Sequence, residues 1–224
     1  MSDDGPRMAA DYDLVFADWD ANTERLISIM SAHLPVARGT LLDATCRTGM
    51  ACEAAVRMGW SVIGADAAPA MLERARLPDL DFRVTDVRRL YEGIGQSVDA
   101  VISIGDGLPA LERDELGTAV AEMRRCTRLG GTAMIVVRDF VGSLRPAVWR
   151  NDPVCKVTAL FSTRGEGQVA YTLQVEDADG TRTHTRILQV VSELELRAVM
   201  EASGYQVRRS GKMLGRVVLS GLAA

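Results

Sequence analysis

Histidine and paired cysteine are scarce in this sequence, and their scarcity argues against a metal centre. No two of these residues have the CxxC or HxxxH spacing that a zinc site needs, so the sequence predicts no bound metal. The residues concerned are His33, His184, Cys46, Cys52, Cys126 and Cys155.

Blocks of one charge sign and long apolar runs are also missing. The 26 basic and 30 acidic residues are interspersed and give a net charge of −4, so no basic face predicts binding to nucleic acid. The longest apolar runs have the length of a strand, which predicts no membrane-spanning helix. Residues 1–13 carry acids where a secretion signal needs bases and an apolar stretch, so we expect a cytoplasmic protein.

What the chain does contain is a regular alternation of strand-like and helix-like segments. Its 224 residues are 47% hydrophobic and show no composition break, which indicates one domain. Helical spacing over 11–33 is followed by strands that alternate with helices, and near-continuous Val and Ile content predicts a doubly wound, mostly parallel sheet. The predicted strands of this part are 40–44, 60–66, 81–86, 98–104 and 132–140, and the main helices are 51–58, 69–76 and 112–128.

After residue 140 the pattern changes to alternation of apolar and polar residues. Residues 141–153 are predicted to form a loop, and three segments separated by glycine-containing turns then predict an antiparallel meander. A capped helix beginning after Ser192 and two final strands would complete a seven-stranded sheet. We therefore divide the chain into a helical cap (1–38), a core (39–140 and 186–224) and a lid inserted after strand five (141–185), whose free edge could also pair with a second copy in a homodimer.

Acidic residues end the first two predicted strands. Asp43 precedes a tight turn that leads directly into a helix, and Asp66 follows about twenty residues later. In an open α/β sheet such a turn lies at the carboxyl ends of the strands, where ligands bind. An acid at the end of the second strand suits the hydroxyls of a ribose, so the pattern predicts a nucleoside-containing ligand.

Several motifs in this order resemble those of class I S-adenosylmethionine-dependent methyltransferases. The resemblance covers about residues 11–139 and implies a Rossmann-like fold. Its segments are LLDATCRTG, VIGADAAPAMLERAR, VTDVRRL, DAVISIGDGLPAL and GGTAMIVVRD. Within that superfamily, IGDGLPAL, VVRDF and YDLVFADW look most like the glycine and sarcosine N-methyltransferase branch, which acts on small molecules.

The resemblance implies a cofactor, S-adenosylmethionine, with S-adenosylhomocysteine as its product. Acids and the turn would hold the aminoacyl end and the ribose, a second group would surround the adenine, and a third would lie beside the sulfonium. The first group is Asp43, Ala44, Thr45, Arg47, Gly49 and Asp66; the second is Ala67, Met71, Asp86 and Val87; the third is Ile104 and Gly105.

The glycine turn departs from the family pattern at two positions. The first and second glycines of the usual motif are replaced by Thr45 and Arg47. Glycine serves where φ is positive or a ligand approaches the backbone closely. The Arg47 side chain could block the site, pair with the carboxylate of the cofactor or point to solvent.

Residues outside the cofactor motifs are candidates for binding and activating the acceptor. Asp106 and His184 are the predicted catalytic groups, since an acid suits an amine donor and a histidine could act as a base. Tyr12, Trp19, Arg138 and Arg145 are the predicted substrate-binding residues. Each has a plainer alternative: aromatic packing on the sheet, a structural ion pair for Arg138, and a solvent-facing strand position for His184.

The sequence thus predicts methyl transfer to the nitrogen, or the oxygen, of a small molecule, with a carboxylate-bearing acceptor as one option. Two other functions remain open: an enzyme that uses the bound cofactor for non-methylating chemistry, and a non-catalytic binding subunit, which the altered turn would suit.

Overall fold

A computed structural model describes residues 5–16, 18–36, 39–140, 144–165 and 167–224 of the chain. Seven α-helices and eleven strands are found in these ranges. The helices are α1 (Gly5–Val15), α2 (Trp19–His33), α3 (Met50–Arg57), α4 (Pro69–Leu72), α5 (Leu90–Ile94), α6 (Glu115–Cys126) and α7 (Glu193–Ala202). The strands are β1 (Thr40–Asp43), β2 (Ser61–Asp66), β3 (Asp81–Val84), β4 (Val98–Ile104), β5 (Thr127–Arg138), β6 (Ala147–Asn151), β7 (Cys155–Gly165), β8 (Gln168–Asp177), β9 (Gly180–Gln189), β10 (Tyr205–Met213) and β11 (Arg216–Ala223).

The larger sheet has seven strands in the order β10-β11-β5-β4-β1-β2-β3. Strands β1 to β5 are parallel to one another, whereas β11 is antiparallel to both β5 and β10. The order reverses between β1 and β4, so the carboxyl ends of these strands flank the crevice in which such sheets bind ligands. The predicted seven-stranded, mostly parallel sheet with an antiparallel insertion is confirmed.

Helices cover both faces of this sheet, which explains the nearly unbroken apolar runs of its central strands. On one face α5, α6 and α7 pack on side chains such as Leu42, Val101 and Ile135. On the other face α2 and α3 pack on Leu41, Ile102 and others. The central strands are held on both sides, so their carboxyl ends form a rigid platform.

The smaller sheet is antiparallel and has four strands in the order β6-β7-β8-β9. Residues 147–151, which we expected to lie in a loop, form its first strand. The predicted lid boundary at residue 185 falls inside β9, which continues to Gln189. One face of this sheet packs on α1 and α4 through a third apolar cluster. The first helix and the inserted sheet together lie over the carboxyl ends of the core strands.

Other differences from prediction concern the ends of helices. The segment 11–33 is divided in two: Asp18 caps the second helix, where its Oδ1 accepts a hydrogen bond of 3.1 Å from the Ala21 N–H. Gly130 and Gly131 do not end α6; they lie inside β5, and the helix has already stopped at Cys126. No helix in the described ranges is long and apolar enough to cross a membrane.

Candidate active site

Asp43 lies buried at the end of β1, under the turn that leads to α3. One carboxylate oxygen accepts a hydrogen bond of 3.2 Å from the Thr45 N–H, and the other faces the Cys52 thiol at 3.9 Å. Burial raises the pKa of Asp43 to about 7, and the nearby charge of Asp66 adds to this effect. A cation placed beside Asp43 would strongly favour the ionised form of its carboxyl group.

Asp66, at the end of β2, is oriented by the backbone. Its two oxygens accept hydrogen bonds of 2.9 Å each, one from the Arg47 N–H and one from the Ala68 N–H. An ionised carboxylate has about four acceptor positions, so about two remain for external donors such as the hydroxyls of a ribose. The side chain is only partly buried, which leaves those positions accessible.

Arg47 occupies the position of the second family glycine with the backbone conformation of a glycine. Its φ is +53°, in the left-handed region that non-glycine residues rarely adopt. Its side chain crosses the site: Nη1 donates a hydrogen bond of 2.8 Å to the Tyr12 hydroxyl. The guanidinium also lies over Gly105, where an added Cβ would come within 3.0 Å of Nη1. Of the three positions that we considered, the solvent-facing one is wrong.

The Arg47 side chain does not fill the site, because a cavity of about 420 Å³ remains beside the turn. This volume is within the range of about 300–1,000 Å³ that is usual for cofactor pockets. The cavity has an acid at one end and apolar walls from α2 and α3, which fits a cofactor that combines an ammonium group with a sulfonium. The predicted cofactor residues that line it are Asp43, Thr45, Arg47, Ile104 and Gly105.

The other predicted cofactor residues line neither this cavity nor the one described below. Met71 and Val87 are buried in apolar clusters. Asp86 is paired with Arg88, and although burial opposes ionisation, the hydrogen bonds from Arg88 hold the pKa of Asp86 below its ordinary value. The roles of these residues stay predictions, as do those of Ala44, Gly49, Asp66 and Ala67.

A second cavity, of about 660 Å³, adjoins the first one and is covered by α1 and the smaller sheet. We call it the acceptor cavity. Residues that line both cavities include Tyr12, Arg47, Gly105 and Arg216, so the two spaces meet at the end of β4. The two cavities are therefore neighbours beside Gly105, where the Arg47 guanidinium also lies.

Asp106 and Arg138 form the floor of the acceptor cavity. Arg138 Nη2 lies 3.0 Å from Asp106 Oδ2, and both side chains are largely buried. Burial opposes ionisation of Asp106, but the charges of Arg138 and Arg47 hold its pKa below the ordinary value. Four aromatic rings surround the Arg138 guanidinium, with centroids 5.4–5.9 Å from Cζ: Phe140, Trp149, Phe161 and Tyr171.

His184, a predicted catalytic base, does not line either cavity. It points inward from β9 and its Nε2 lies 2.6 Å from Asp11 Oδ2 of α1, with the side chain 6% exposed. Arg182 binds the same carboxylate. The solvent-facing alternative is wrong, because His184 is buried and joins the first helix to the smaller sheet; its catalytic role stays a prediction that its position outside both cavities does not support.

Trp19 and Arg145 are also absent from the lining of the two cavities. Trp19 is buried and donates a hydrogen bond from its indole N–H to Glu53, with the Arg76 guanidinium 4.2 Å from its ring centroid. Arg145 is exposed in the segment before β6. Only Tyr12 and Arg138, among the predicted substrate-binding residues, line the acceptor cavity.

Sequence reasoning missed several residues of the acceptor cavity. Arg186, Trp149 and Tyr171 come from the smaller sheet, and Arg216 comes from the start of β11, directly opposite Arg138 in the strand register. The alternation of inward and outward positions along β9 could have placed Arg186 on the inner face, but no sequence pattern links it to Arg216.

Comparisons with known proteins indicate a methyltransferase domain. A family model described as a methyltransferase domain matches residues 41–131. A ubiquinone biosynthesis O-methyltransferase of Brucella anthropi is 34% identical over 89 residues, which are 37% of this chain and 36% of that protein. The match thus spans only about a third of the curated relative.

Solved structures match over nearly the whole chain. DesVI of Streptomyces venezuelae has 25% identity and a TM-score of 0.77, with 97% of this chain and 98% of that chain covered. CalS10, an amino pentose methyltransferase from Micromonospora echinaspora solved with bound S-adenosylmethionine, has 24% identity and a TM-score of 0.65, with 94% and 92% covered. In the described part of the chain, no group of three His, Cys, Asp or Glu residues could hold a metal ion. Residues 41–131 thus match a methyltransferase domain, and the described chain has the fold of solved methyltransferases, one of which binds S-adenosylmethionine.

Proposed function

We propose that this protein transfers a methyl group from S-adenosylmethionine to the nitrogen of a small molecule held in the acceptor cavity. The observation that carries the proposal is the junction of the two cavities at Gly105. When bound, the cofactor would supply an electrophilic methyl group: the lone pair of the acceptor would form a bond to the methyl carbon as the carbon–sulfur bond breaks, with S-adenosylhomocysteine as the leaving group. The chain contributes alignment of the two ligands and exclusion of water, which account for much of the rate in such reactions.

Nitrogen is favoured over oxygen by the groups that line the acceptor cavity. An amine needs only to be neutral, whereas a hydroxyl gains from a general base. The described lining contains no histidine or lysine, and its buried acid, Asp106, is a weak base because its pKa is lowered. Asp106 would instead accept a hydrogen bond from the amine and orient it toward the methyl group.

Oxygen transfer is the second candidate, because the curated relative is an O-methyltransferase. The amino pentose methyltransferase among the structural relatives points the other way, since its substrate is an amino sugar by name. Closeness to the glycine and sarcosine branch remains part of the proposal, as does an acceptor that carries a carboxylate. Arg138 is a less suitable partner for that carboxylate than we expected, because it already pairs with Asp106.

The test is incubation with S-adenosylmethionine and a panel of acceptors, followed by detection of S-adenosylhomocysteine and of methylated product by mass spectrometry. The panel would pair each amine, such as an amino sugar, glycine or sarcosine, with its hydroxyl analogue. We expect turnover of amines and little turnover of the hydroxyl analogues. Preferred turnover of hydroxyl compounds would replace the nitrogen assignment with oxygen.

Two other outcomes would contradict methyl transfer altogether. Consumption of the cofactor without a methylated product would indicate another use of its sulfonium. Absence of heat on calorimetric titration with S-adenosylmethionine would favour a non-catalytic binding subunit. The variant Asp106→Asn serves as a probe of orientation: it should lower kcat with little change in cofactor affinity, since Asp106 does not line the cofactor cavity.

A further inference from the structure

Arginines from strands that are far apart in sequence converge on the acceptor cavity. Arg186 points inward near the end of β9, Arg216 begins β11, and Arg47 and Arg138 complete the group. Arg216 lies opposite Arg138 in the register of β11 and β5, so these two backbones are fixed relative to each other. These four guanidinium groups face one space of about 660 Å³, whose lining also includes Arg25, which donates a hydrogen bond to Asn22, and Arg150, which pairs with Asp152.

The carboxylates of the cavity do not balance these charges. The buried acid, Asp106, forms an ion pair with Arg138. The remaining acids of the lining are engaged elsewhere: Asp152 accepts a hydrogen bond of 2.5 Å from Arg150 Nε, and Asp18 caps α2. The Arg47 Nη1 donates its hydrogen bond to the Tyr12 hydroxyl and not to a carboxylate.

Arg186 and Arg216 have no ion pair or hydrogen bond from their side chains to any residue that the structure describes. Arg216 Nη1 is buried without a hydrogen-bond partner. Burial lowers the pKa of both guanidinium groups, although the charge of Asp106 opposes this effect, which means that burial destabilises their charged forms. Buried charges of this kind are normally paired in proteins. An external anion would therefore offset the free-energy cost of burying these two charges without a partner.

We propose that Arg186 and Arg216, with Arg47 at the junction, form an oxyanion site for a carboxylate or phosphate group of the methyl acceptor. This inference rests on the proposed function for its biological meaning, but the site itself follows from the charges. A planar guanidinium offers two parallel N–H donors that match the spacing of oxygens in either group.

The site also defines how an acceptor would lie in the cavity. Its amine would lie beside Asp106, and its oxyanion would lie against Arg186 and Arg216. Amines without an anionic group would bind weakly, because they would leave these arginines unpaired. The anion also offsets the positive charge that a sulfonium brings next to Arg47.

The test is calorimetric titration of the full chain with sodium phosphate and, separately, with sodium acetate, at constant ionic strength. We expect saturable binding of at least one anion. Tighter phosphate binding would assign a phosphorylated acceptor, and tighter acetate binding would assign a carboxylate. The variants Arg186→Gln and Arg216→Gln should each weaken that binding at least tenfold. The matched control is Arg208→Gln, which removes the same charge from an exposed position of the edge strand β10.

Two results would overturn the site: no saturable binding of either anion, or equal binding by the variants and the unmodified protein. Thermal unfolding adds an independent readout, because Arg216→Gln removes a buried, unpaired charge and should raise Tm without anion. If Arg216→Gln fails to fold, Arg186→Gln alone decides. Titration of the same samples with S-adenosylmethionine separates the two proposals. Cofactor binding without anion binding contradicts the site alone, and the reverse contradicts the proposed function alone.

Discussion

Replacing Arg47 by glycine should change how this protein discriminates between S-adenosylmethionine and S-adenosylhomocysteine. The Arg47 guanidinium lies over Gly105, beside which the family resemblance places the sulfur of the cofactor. The substrate cofactor carries a positive charge on that sulfur and the product does not. Two like charges about 5–7 Å apart at an effective dielectric constant of about 20 repel by about 2–3 kcal/mol. Because the cavity is open to water, we expect a smaller effect.

In Arg47→Gly the ratio of Kd for S-adenosylhomocysteine to Kd for S-adenosylmethionine should rise at least tenfold. The ratio is informative because both ligands carry the same carboxylate. Loss of a carboxylate contact to Arg47 would weaken both ligands equally and leave the ratio unchanged. The assay is calorimetric titration with each ligand, and Arg47→Lys, which keeps the charge, should retain the ratio of the unmodified protein.

The fold should tolerate this substitution. Relief of the left-handed backbone at Arg47 contributes roughly 1–2 kcal/mol. Loss of the hydrogen bond from the charged guanidinium to Tyr12 costs about 1.5–3 kcal/mol, so the net change in the free energy of unfolding should stay within about 2 kcal/mol. An unchanged ratio of the two Kd values in Arg47→Gly would refute the placement of the guanidinium beside the sulfur.

Three further predictions concern buried or partly buried acids and one histidine. Asp66→Ala should weaken S-adenosylmethionine about 10- to 100-fold in calorimetry, because about 1.5–3 kcal/mol is lost with hydrogen bonds to a charged group; an unchanged Kd would remove Asp66 from the site. The pKa of Asp43 is about 7 in the folded chain, against an ordinary value of 3.8. Between these two pH values Asp43 is therefore mostly protonated in the folded chain and mostly ionised in the unfolded chain. Stability to urea should therefore fall as the pH rises from about 4 to 7 and then level off. Asp43→Asn should abolish that slope and be more stable at pH 8 by up to about 4 kcal/mol, at 1.4 kcal/mol per pKa unit; a slope that persists would contradict the assignment. His184→Gln should cost about 1.5–3 kcal/mol of stability through loss of the bond to Asp11, yet leave the pH dependence of kcat unchanged; a shifted pH profile would restore His184 as a catalytic base.

The sheet and the acids at its strand ends could be predicted because they depend on local pattern. Apolar runs of strand length are sufficient to predict β1 to β5, and Asp43 and Asp66 follow directly from where the first two strands stop. Residues 147–151 were missed as a strand because prolines flank them at 146 and 153, and proline is typical of loops.

The acceptor cavity could not be predicted in the same way. Four of its arginines lie on β5, β9, β11 and the turn after β1, and only the pairing of strands brings them together. His184 was misjudged for a related reason: alternation along β9 gives two faces, and only the packing of α1 on the smaller sheet determines which of them is buried. Such pairing between distant segments leaves no periodic signal in a single sequence.

Arg182 and His184 both bind the carboxylate of Asp11, which has a consequence for how ligands enter and leave the acceptor cavity. These contacts fix α1 to the four-stranded sheet. We therefore expect the two elements that cover the acceptor cavity to move together rather than independently when a ligand passes.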